Sequence, residues 1–425
     1  MFRRLNVSLV ALFISGCAVI PSAPLPPSTA VVAGNSSASA PTAAVSSPAD
    51  APQDLGIILT PIVARTKVPG MAAVVLYGDK IVAQGVAGVR KRGSDVPITL
   101  DDQFLLCSAG KAMTATLAAM LIDEGRLSWN TTLGDVFAGT IKNLHPDWKT
   151  VTLAQLLEHR AGVPADQALF WSIVRLNFSG GTVDDKRWAI VAKVLSKPPP
   201  YPPGSRYVYA SVDYVIVGAM LEKITGQPWE DLIQQKLWQP LGITSGGFGA
   251  PGTAGKIDQP WGHWGMFLTG RPAAPDGLWS HLSTPLFGGP AGTGHMTITD
   301  WSRFISLHLR GDPANPHQAA TLLKPASFAA LHRAEPGRFY QAGWILLHRS
   351  WANGHRPGDS GRVISSQGDN GFWHCEAWVA PEIDFAVLVV CNQGGPADDK
   401  PATMADRDAV TALIQAFGPN KIASR

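Results

Sequence analysis

FLLCSAGKAMTATLAAMLIDEG, residues 104–125, combines a long apolar run with a Ser-x-x-Lys pattern. Residues 108–124 are rich in Ala, Leu and Met and stop at Gly125, which predicts a buried helix. Ser108 and Lys111 are three residues apart, so the helix places both side chains on one face. This Ser-x-x-Lys pattern is the only one in the chain.

Ser108 and Lys111 together have the chemistry of an activated nucleophile. A serine hydroxyl attacks a carbonyl at neutral pH only when a base is within reach. A lysine amine can be that base if burial or nearby positive charge lowers its pKa towards the working pH. The spacing alone is weak, because a chain of this length contains roughly one such pattern by chance. Its position at the start of a buried helix favours the catalytic interpretation.

Strand signals lie at both ends of the chain, outside this helix. Residues 70–77 and 80–86 predict a hairpin with a turn between them, and residues 151–285 contain several helical stretches. The later predicted elements are four strands and a final helix, at 340–347, 362–367, 373–380, 384–391 and 402–417. Strands at both ends with helices between them predict an α/β fold, in which one antiparallel sheet built from the two termini carries a helical insertion.

The composition indicates a globular protein that needs no cofactor. The chain has 425 residues, a formal net charge of +3 and 45% hydrophobic residues. No long basic run accompanies that small charge, so nucleic acid is not an expected partner. The sequence contains no P-loop, no paired Cys-x-x-Cys and no His-Glu-x-x-His, so neither a nucleotide nor a metal site is expected.

The N-terminus predicts export and a lipid anchor. Arg3 and Arg4 precede an apolar run at 7–14 that is too short to span a bilayer, which needs about 20 apolar residues. ISGC at residues 14–17 resembles a bacterial lipobox, in which the cysteine, here Cys17, becomes lipid-modified after cleavage.

This prediction divides the chain into a signal peptide (1–16), a tether (17–53) and a folded part (54–425). The tether is rich in Ala, Ser and Pro and is expected to be disordered. Because the residue after Cys17 is Ala18 and not Asp, we expect the anchor to hold the protein at the periplasmic face of the outer membrane.

Five segments, in order along the chain, resemble the serine hydrolases of the β-lactamase and penicillin-binding superfamily. This group includes class C β-lactamases, DD-peptidases and family VIII esterases. The resemblance as a whole covers about residues 55–420. They are SAGKAMTAT (108–116), VTLAQLLEHRAGVP (151–164), PG followed by YVYAS (203–211), WQPLGI (238–243) and GPAGTGH (289–295).

The resemblance implies roles for three residues and a detailed fold. Ser108 would be acylated, Lys111 would assist its deprotonation, and Tyr209 would shuttle the proton to the leaving group and later activate water. The fold would be an antiparallel sheet flanked by helices with an inserted, mainly helical domain. The sheet part would cover about 54–107 and 286–425, and the helical part about 108–285.

The substrate-binding motifs depart from the family pattern. Ser211 stands where the family has Asn and keeps only part of its hydrogen bonding. In the third motif, Ser366-Gln367-Gly368 replaces a Lys-Thr-Gly or His-x-Gly segment, so the basic residue is missing. The resemblance assigns the oxyanion hole to the backbone N–H groups of Ser108 and Asp369. His263-Trp264-Gly265 is the only His-x-Gly, and we expect it in a loop of the insertion, far from any strand.

Three substrate classes follow from the resemblance: β-lactams, D-Ala-D-Ala peptides of the cell wall, and small carboxylic esters. The missing basic residue at 366 weakens recognition of a carboxylate and favours esters. An alternative is a catalytically impaired cell-envelope binding protein that keeps the fold. Cys375 and Cys391 could face each other across a hairpin, although two small buried residues fit the pattern better.

Overall fold

The computed structural model describes residues 51–265, 270–319, 322–333, 335, 337–395 and 400–418. The predicted signal peptide, Cys17 and the tether up to residue 50 lie outside the described residues. Gln53 and Asp54 already belong to the folded part, where they form an edge strand. Across the described ranges, no helix has the length and apolar character needed to cross a membrane.

Thirteen strands are described. They are β1 (Gln53–Asp54), β2 (Gly70–Tyr77), β3 (Lys80–Gly88), β4 (Gln103–Leu105), β5 (Gly247–Phe248), β6 (Gly262–His263), β7 (Pro272–Ala273), β8 (Gly294–Thr297), β9 (Tyr340–Gln341), β10 (Trp344–His348), β11 (Arg362–Asp369), β12 (His374–Ala380) and β13 (Phe385–Cys391).

Thirteen α-helices accompany them in the described part of the chain. They are α1 (Gly56–Thr66), α2 (Gly110–Asp123), α3 (Leu133–Phe137), α4 (Leu153–Leu157), α5 (Asp166–Asn177), α6 (Val183–Leu195), α7 (Ser211–Thr225), α8 (Trp229–Ile233), α9 (Leu278–Ser283), α10 (Gly289–Gly292), α11 (Ile298–Gly311), α12 (Pro325–Leu331) and α13 (Pro401–Phe417).

The main sheet confirms the prediction that both termini build it. Its order is β1-β3-β2-β13-β12-β11-β10-β9, and every pair except β1 with β3 is antiparallel. In the centre, β12 and β13 are buried at every residue. Helices α1 and α13 cover one face, the back, while α2 and α11 lie against the other, the front. Because helices cover both faces of the sheet, neither face contacts water, and the central strands are continuously apolar.

Helix α2 is the buried helix that the opening segment predicts. A turn of 3₁₀-helix at Cys107–Ala109 precedes it, and ten of its fourteen residues are buried. Helix α7 is similarly buried, and both lie in the same core cluster. The helical part therefore packs around α2, at the front of the sheet.

Two expectations differ from the structure, and the favoured prediction for Cys375 and Cys391, two small buried residues, is confirmed. The strand predicted over 340–347 is two short strands, because Ala342 and Gly343 both have positive φ (49° and 91°) and reverse the chain. Cys375 and Cys391 are both free and lie in the cores on opposite faces of the sheet, so they do not face each other. His263 lies in β6 and forms a bridge to Gln393 at the end of the main sheet, so it is not far from a strand.

Candidate active site

The turn that carries Ser108 is built from close backbone contacts. Cys107 has a positive φ of 49°, which redirects the chain from β4 into α2. A Cβ on Gly292 would lie 2.0 Å from the Cys107 carbonyl oxygen, and one on Gly368 would lie 2.1 Å from the Leu106 carbonyl oxygen. Only glycine allows such an approach, so the Gly-rich segment at 289–295 and strand β11 fix the turn from two sides.

Ser108, Lys111 and Tyr209 meet at the start of α2. The Lys111 Nζ lies 3.1 Å from the Ser108 Oγ, and the Tyr209 hydroxyl lies 2.8 Å from the same oxygen. Lys111 is 1% exposed, and its amine also donates to the Ala291 carbonyl at 2.8 Å. The arrangement places a serine hydroxyl between an amine and a phenol, which is the geometry that general-base activation requires.

His159 and Asp213 support Tyr209 from behind. The His159 ring centroid lies 4.4 Å from that of Tyr209, and its Nδ1 lies 2.8 Å from the Asp213 carboxyl oxygen. Burial, reinforced by the charge of Lys111, holds the pKa of His159 well below its usual range, and burial raises the pKa of Asp213. His159 is therefore a neutral ring that positions Tyr209, which agrees with a structural role.

Strand β11 divides its residues between the two faces of the sheet. Ser366 and Gly368 share the front, and the buried Ser366 Oγ has no hydrogen-bond partner among the described residues. Gln367 points to the back, where its amide donates to Glu376. The Asp369 carboxylate accepts the N–H groups of two glycines at 2.6 and 2.8 Å, and burial raises its pKa to about 6.

It follows that only part of the predicted substrate and oxyanion set can act through side chains. Gln367 lies on the wrong face for contact with Ser108, because neighbouring strand residues alternate. Asp369 can contribute through its backbone N–H, and that role stays a prediction.

Ser211 lies beside Asp166, a residue that the sequence motifs do not single out. The Asp166 carboxylate accepts the Ser211 N–H with both oxygens, at 2.8 and 3.0 Å, and is 3% exposed. It follows the 151–164 segment by only two positions. That closeness was the one available signal, because the contact itself joins residues 45 positions apart.

A cleft opens in front of Ser108. Its walls are mostly apolar, and among the described lining residues Asp166 and Asp369 are the only charged ones. Within the described ranges, no Lys, Arg or His lines it. The full lining is Cys107, Ser108, Asp166, Ile173, Ser211, Val212, Val215, Leu282, Ser283, Thr284, Pro285, Phe287, Gly288, Ala291, Gly292, Thr293, Asp369 and Asn370.

One acidic cluster elsewhere has the shape of a metal site, formed by Asp184, Glu222 and Glu230. The buried Arg187 guanidinium already pairs with all three carboxylates. A cation therefore occupies this cluster, and the cluster is a structural ion-pair network.

The chain is similar in sequence to a penicillin-binding protein and to a hydrolase. The chain is 31% identical over 287 residues to penicillin-binding protein 4 of Amycolatopsis lactamdurans, covering 68% of this chain and 70% of that protein. It is 26% identical over 202 residues to an unguisins hydrolase of Aspergillus campestris, covering 45% of this chain but only 36% of that one.

Among solved structures, the fold is similar to that of an octameric penicillin-binding protein homologue from Pyrococcus abyssi. The TM-score is 0.64 at 20% identity, over 85% of this chain and 76% of the other. A family model described as beta-lactamase matches residues 58–411. The chain thus belongs to the beta-lactamase family of serine hydrolases.

Proposed function

We propose that this protein hydrolyses esters or amides that carry no carboxylate near the scissile bond, through an acyl-enzyme on Ser108. The observation that carries the proposal is the cleft itself, which opens on Ser108 and has no cationic side chain among its described lining residues. A buried anion without a partner is costly, and none of the described lining residues offers a cationic side chain to pair with a substrate carboxylate.

The proposed reaction uses the three residues that meet at the start of α2. The Ser108 Oγ attacks the carbonyl, and its proton passes to the Lys111 and Tyr209 pair at 3.1 and 2.8 Å. The carbonyl oxygen becomes an oxyanion held by the backbone N–H groups of Ser108 and Asp369. Tyr209 returns the proton to the leaving oxygen or nitrogen. Water then attacks the acyl carbon, loses its proton to the same pair and releases Ser108.

The preference for neutral substrates rests on position 366. β-Lactams and D-Ala-D-Ala peptides carry a free carboxylate, which the family's basic residue at this position attracts. Here Ser366 is 1% exposed and uncharged. A charge-assisted hydrogen bond contributes about 1.5–3 kcal/mol, so its absence should cost roughly ten- to a hundredfold in kcat/KM.

The test compares phenyl acetate with 3-acetoxybenzoic acid, which adds one carboxylate to the leaving group, the side on which β-lactams and D-Ala-D-Ala peptides carry theirs. We expect the wild type to prefer phenyl acetate by roughly ten- to a hundredfold in kcat/KM and to turn over a chromogenic cephalosporin poorly. Ser366→Lys should reduce both differences in kcat/KM, whereas Ser366→Met, of similar length but uncharged, should not. A wild type that prefers 3-acetoxybenzoic acid or the cephalosporin would refute the preference, even if the Lys variant does not fold.

The alternative of an impaired binding protein draws on two departures from the family pattern, Ser211 in place of Asn and Ser366 in place of the basic residue, and the intact Ser108, Lys111 and Tyr209 oppose it. A non-catalytic protein would turn over neither ester, and the two hypotheses separate in the same assay.

For its location, we propose that the chain is anchored to the bacterial cell envelope by a lipid on Cys17. The support is the ordered series of positive charge, short apolar run and ISGC at residues 14–17. An extracytoplasmic hydrolase tethered in this way would meet substrates in the periplasm.

A further inference from the structure

Asp166 is a buried carboxylate on the wall of the substrate cleft. It begins helix α5 and lines the same cleft as Ser108 and Ser211. Within the described ranges no Lys, Arg or His side chain lies within salt-bridge distance of it. A carboxylate at this depth without a directly paired cation is unfavourable, and the proposed reaction does not use it.

One role of the Asp166 carboxylate is to cap the N-terminus of helix α7. The cap residue Ala210 has no polar side chain, and Asp166 accepts the Ser211 N–H in its place. The Ser211 hydroxyl and the Val212 N–H also stabilise the charged form. A carboxylate has about four acceptor sites, so these three donors leave capacity for a ligand in the cleft.

The charge balance of the site favours a cation as that ligand. Burial raises the pKa of Asp166, and the nearby Lys111 lowers it. Asp213 is the other buried carboxyl group close by, and its pKa is raised by burial and by the negative charge of Asp166, so the two carboxylates repel each other. A positively charged group in the cleft would offset the desolvation of Asp166, while an anionic group would add to it.

The other walls of the cleft indicate which substrate group lies beside the cation. Ile173, Val212, Val215, Leu282 and Phe287 line it and present aliphatic and aromatic surface. An apolar side chain of the substrate would bury its surface there at a gain of about 25 cal/mol per Å².

We propose that Asp166 selects substrates whose acyl part carries a protonated amine next to an apolar side chain. The class is that of esters and amides of hydrophobic amino acids with a free amino group. The amine would donate to the Asp166 carboxylate while the carbonyl faces the Ser108 Oγ. This inference rests on the proposed acyl transfer at Ser108.

The test uses phenylalanine methyl ester, in both enantiomers, against methyl 3-phenylpropionate, which lacks only the amine. We expect a ten- to hundredfold higher kcat/KM for one or both amino esters at pH 6.5. That preference should fade as the pH rises through the pKa of the substrate amine, which lies near 7–8 for an α-amino group. Asp166→Asn keeps an acceptor for Ser211 and should reduce the ratio of the two kcat/KM values by ten- to a hundredfold.

Asp300→Asn is the matched control, because Asp300 is a buried carboxylate that accepts the N–H and the hydroxyl of a serine, Ser245, as Asp166 does with Ser211, but does not line the cleft. It should change both substrates in equal proportion. An unchanged ratio in Asp166→Asn, or a wild type without preference for the amine, would overturn the inference and reduce Asp166 to a helix cap. If no methyl ester is hydrolysed, or if hydrolysis survives Ser108→Ala, the proposed function itself fails.

Discussion

At the scale of single residues, the site depends on contacts that leave no room for a side chain. Gly292 has a φ of +140°, and a Cβ there would be 2.0 Å from the Cys107 carbonyl oxygen, one residue before Ser108. This contact explains why the GPAGTGH segment is Gly-rich: the segment packs against the turn that carries Ser108, while the Ala291 carbonyl accepts a hydrogen bond from Lys111.

Gly292→Ala should therefore damage both stability and reactivity. We expect the free energy of unfolding in urea to fall by about 2–3 kcal/mol or more, from backbone strain plus overpacking. Two controls separate these causes. Gly139→Ala has a φ of +80° but open space, and should cost roughly 1–2 kcal/mol. Gly180→Ala has neither problem and should stay within about 0.5 kcal/mol. A Gly292→Ala variant as stable as Gly139→Ala would contradict the account.

How much of the site the sequence predicts also depends on single residues. Ser108 and Lys111 share a helix, so their spacing is enough to bring them together. Tyr209 comes from a resemblance, because no local rule joins it to a residue 101 positions away. Asp166 escapes prediction, because it lies outside the motifs and its partner Ser211 is distant in sequence.

At the scale of elements, strand β12 and helix α13 are joined by an ion pair behind the site. The His374 Nδ1 lies 2.7 Å from the Asp406 carboxylate. Burial alone would lower the pKa of His374, but the carboxylates of Asp406, Asp369 and Glu376 outweigh it and raise that pKa to about 9.

A raised pKa in the folded protein gives a defined pH dependence. The stabilisation is complete below the unfolded value near 6.5 and is lost as the pH rises through about 9. It amounts to something on the order of 3 kcal/mol. We expect urea unfolding to show that loss in the wild type between pH 6.5 and 9.5. His374→Gln should lose clearly less over the same range. Parallel curves for the two proteins would mean that His374 does not carry this charge.

Helices and strands can be predicted where the local sequence pattern fits only one secondary structure. The hairpin of β2 and β3 follows from two apolar runs and a Gly-Asp turn, and the long apolar helix α2 follows from its composition. The turn between β9 and β10 was missed, because Ala342 adopts a positive φ of 49°, which an alanine rarely does. The cause of this turn is a contact with a residue distant in sequence, since a Cβ on the next residue, Gly343, would lie 2.4 Å from the Ala112 amide nitrogen of α2.

At the scale of the whole molecule, the two ends of the chain meet in one sheet. Strands β2 and β13 are neighbours although they come from opposite ends of the sequence. Strands at both ends of the sequence, with helices between them, are enough to predict that the two ends share a sheet. They do not predict the order of the eight strands, because that order depends on how helices cover the two apolar faces.

The same scale includes the proposed anchor at Cys17. We expect labelled palmitate to be incorporated into the wild type in bacterial cells and the protein to fractionate with membranes. Cys17→Ser should take up no label. As a control, Cys107→Ser leaves the anchor position intact and should still be labelled. An unlabelled wild type in the soluble periplasmic fraction would refute the anchor.

The proposed function depends on acylation of Ser108 with the help of Lys111, and covalent labelling of the serine tests this step. The protein is treated with a fluorophosphonate, and the adduct is mapped by mass spectrometry of its peptides. We predict a single adduct on Ser108, none in Ser108→Ala, and labelling at least about a hundredfold slower in Lys111→Ala. Labelling that persists in Ser108→Ala, or an adduct on any other residue, would contradict the account.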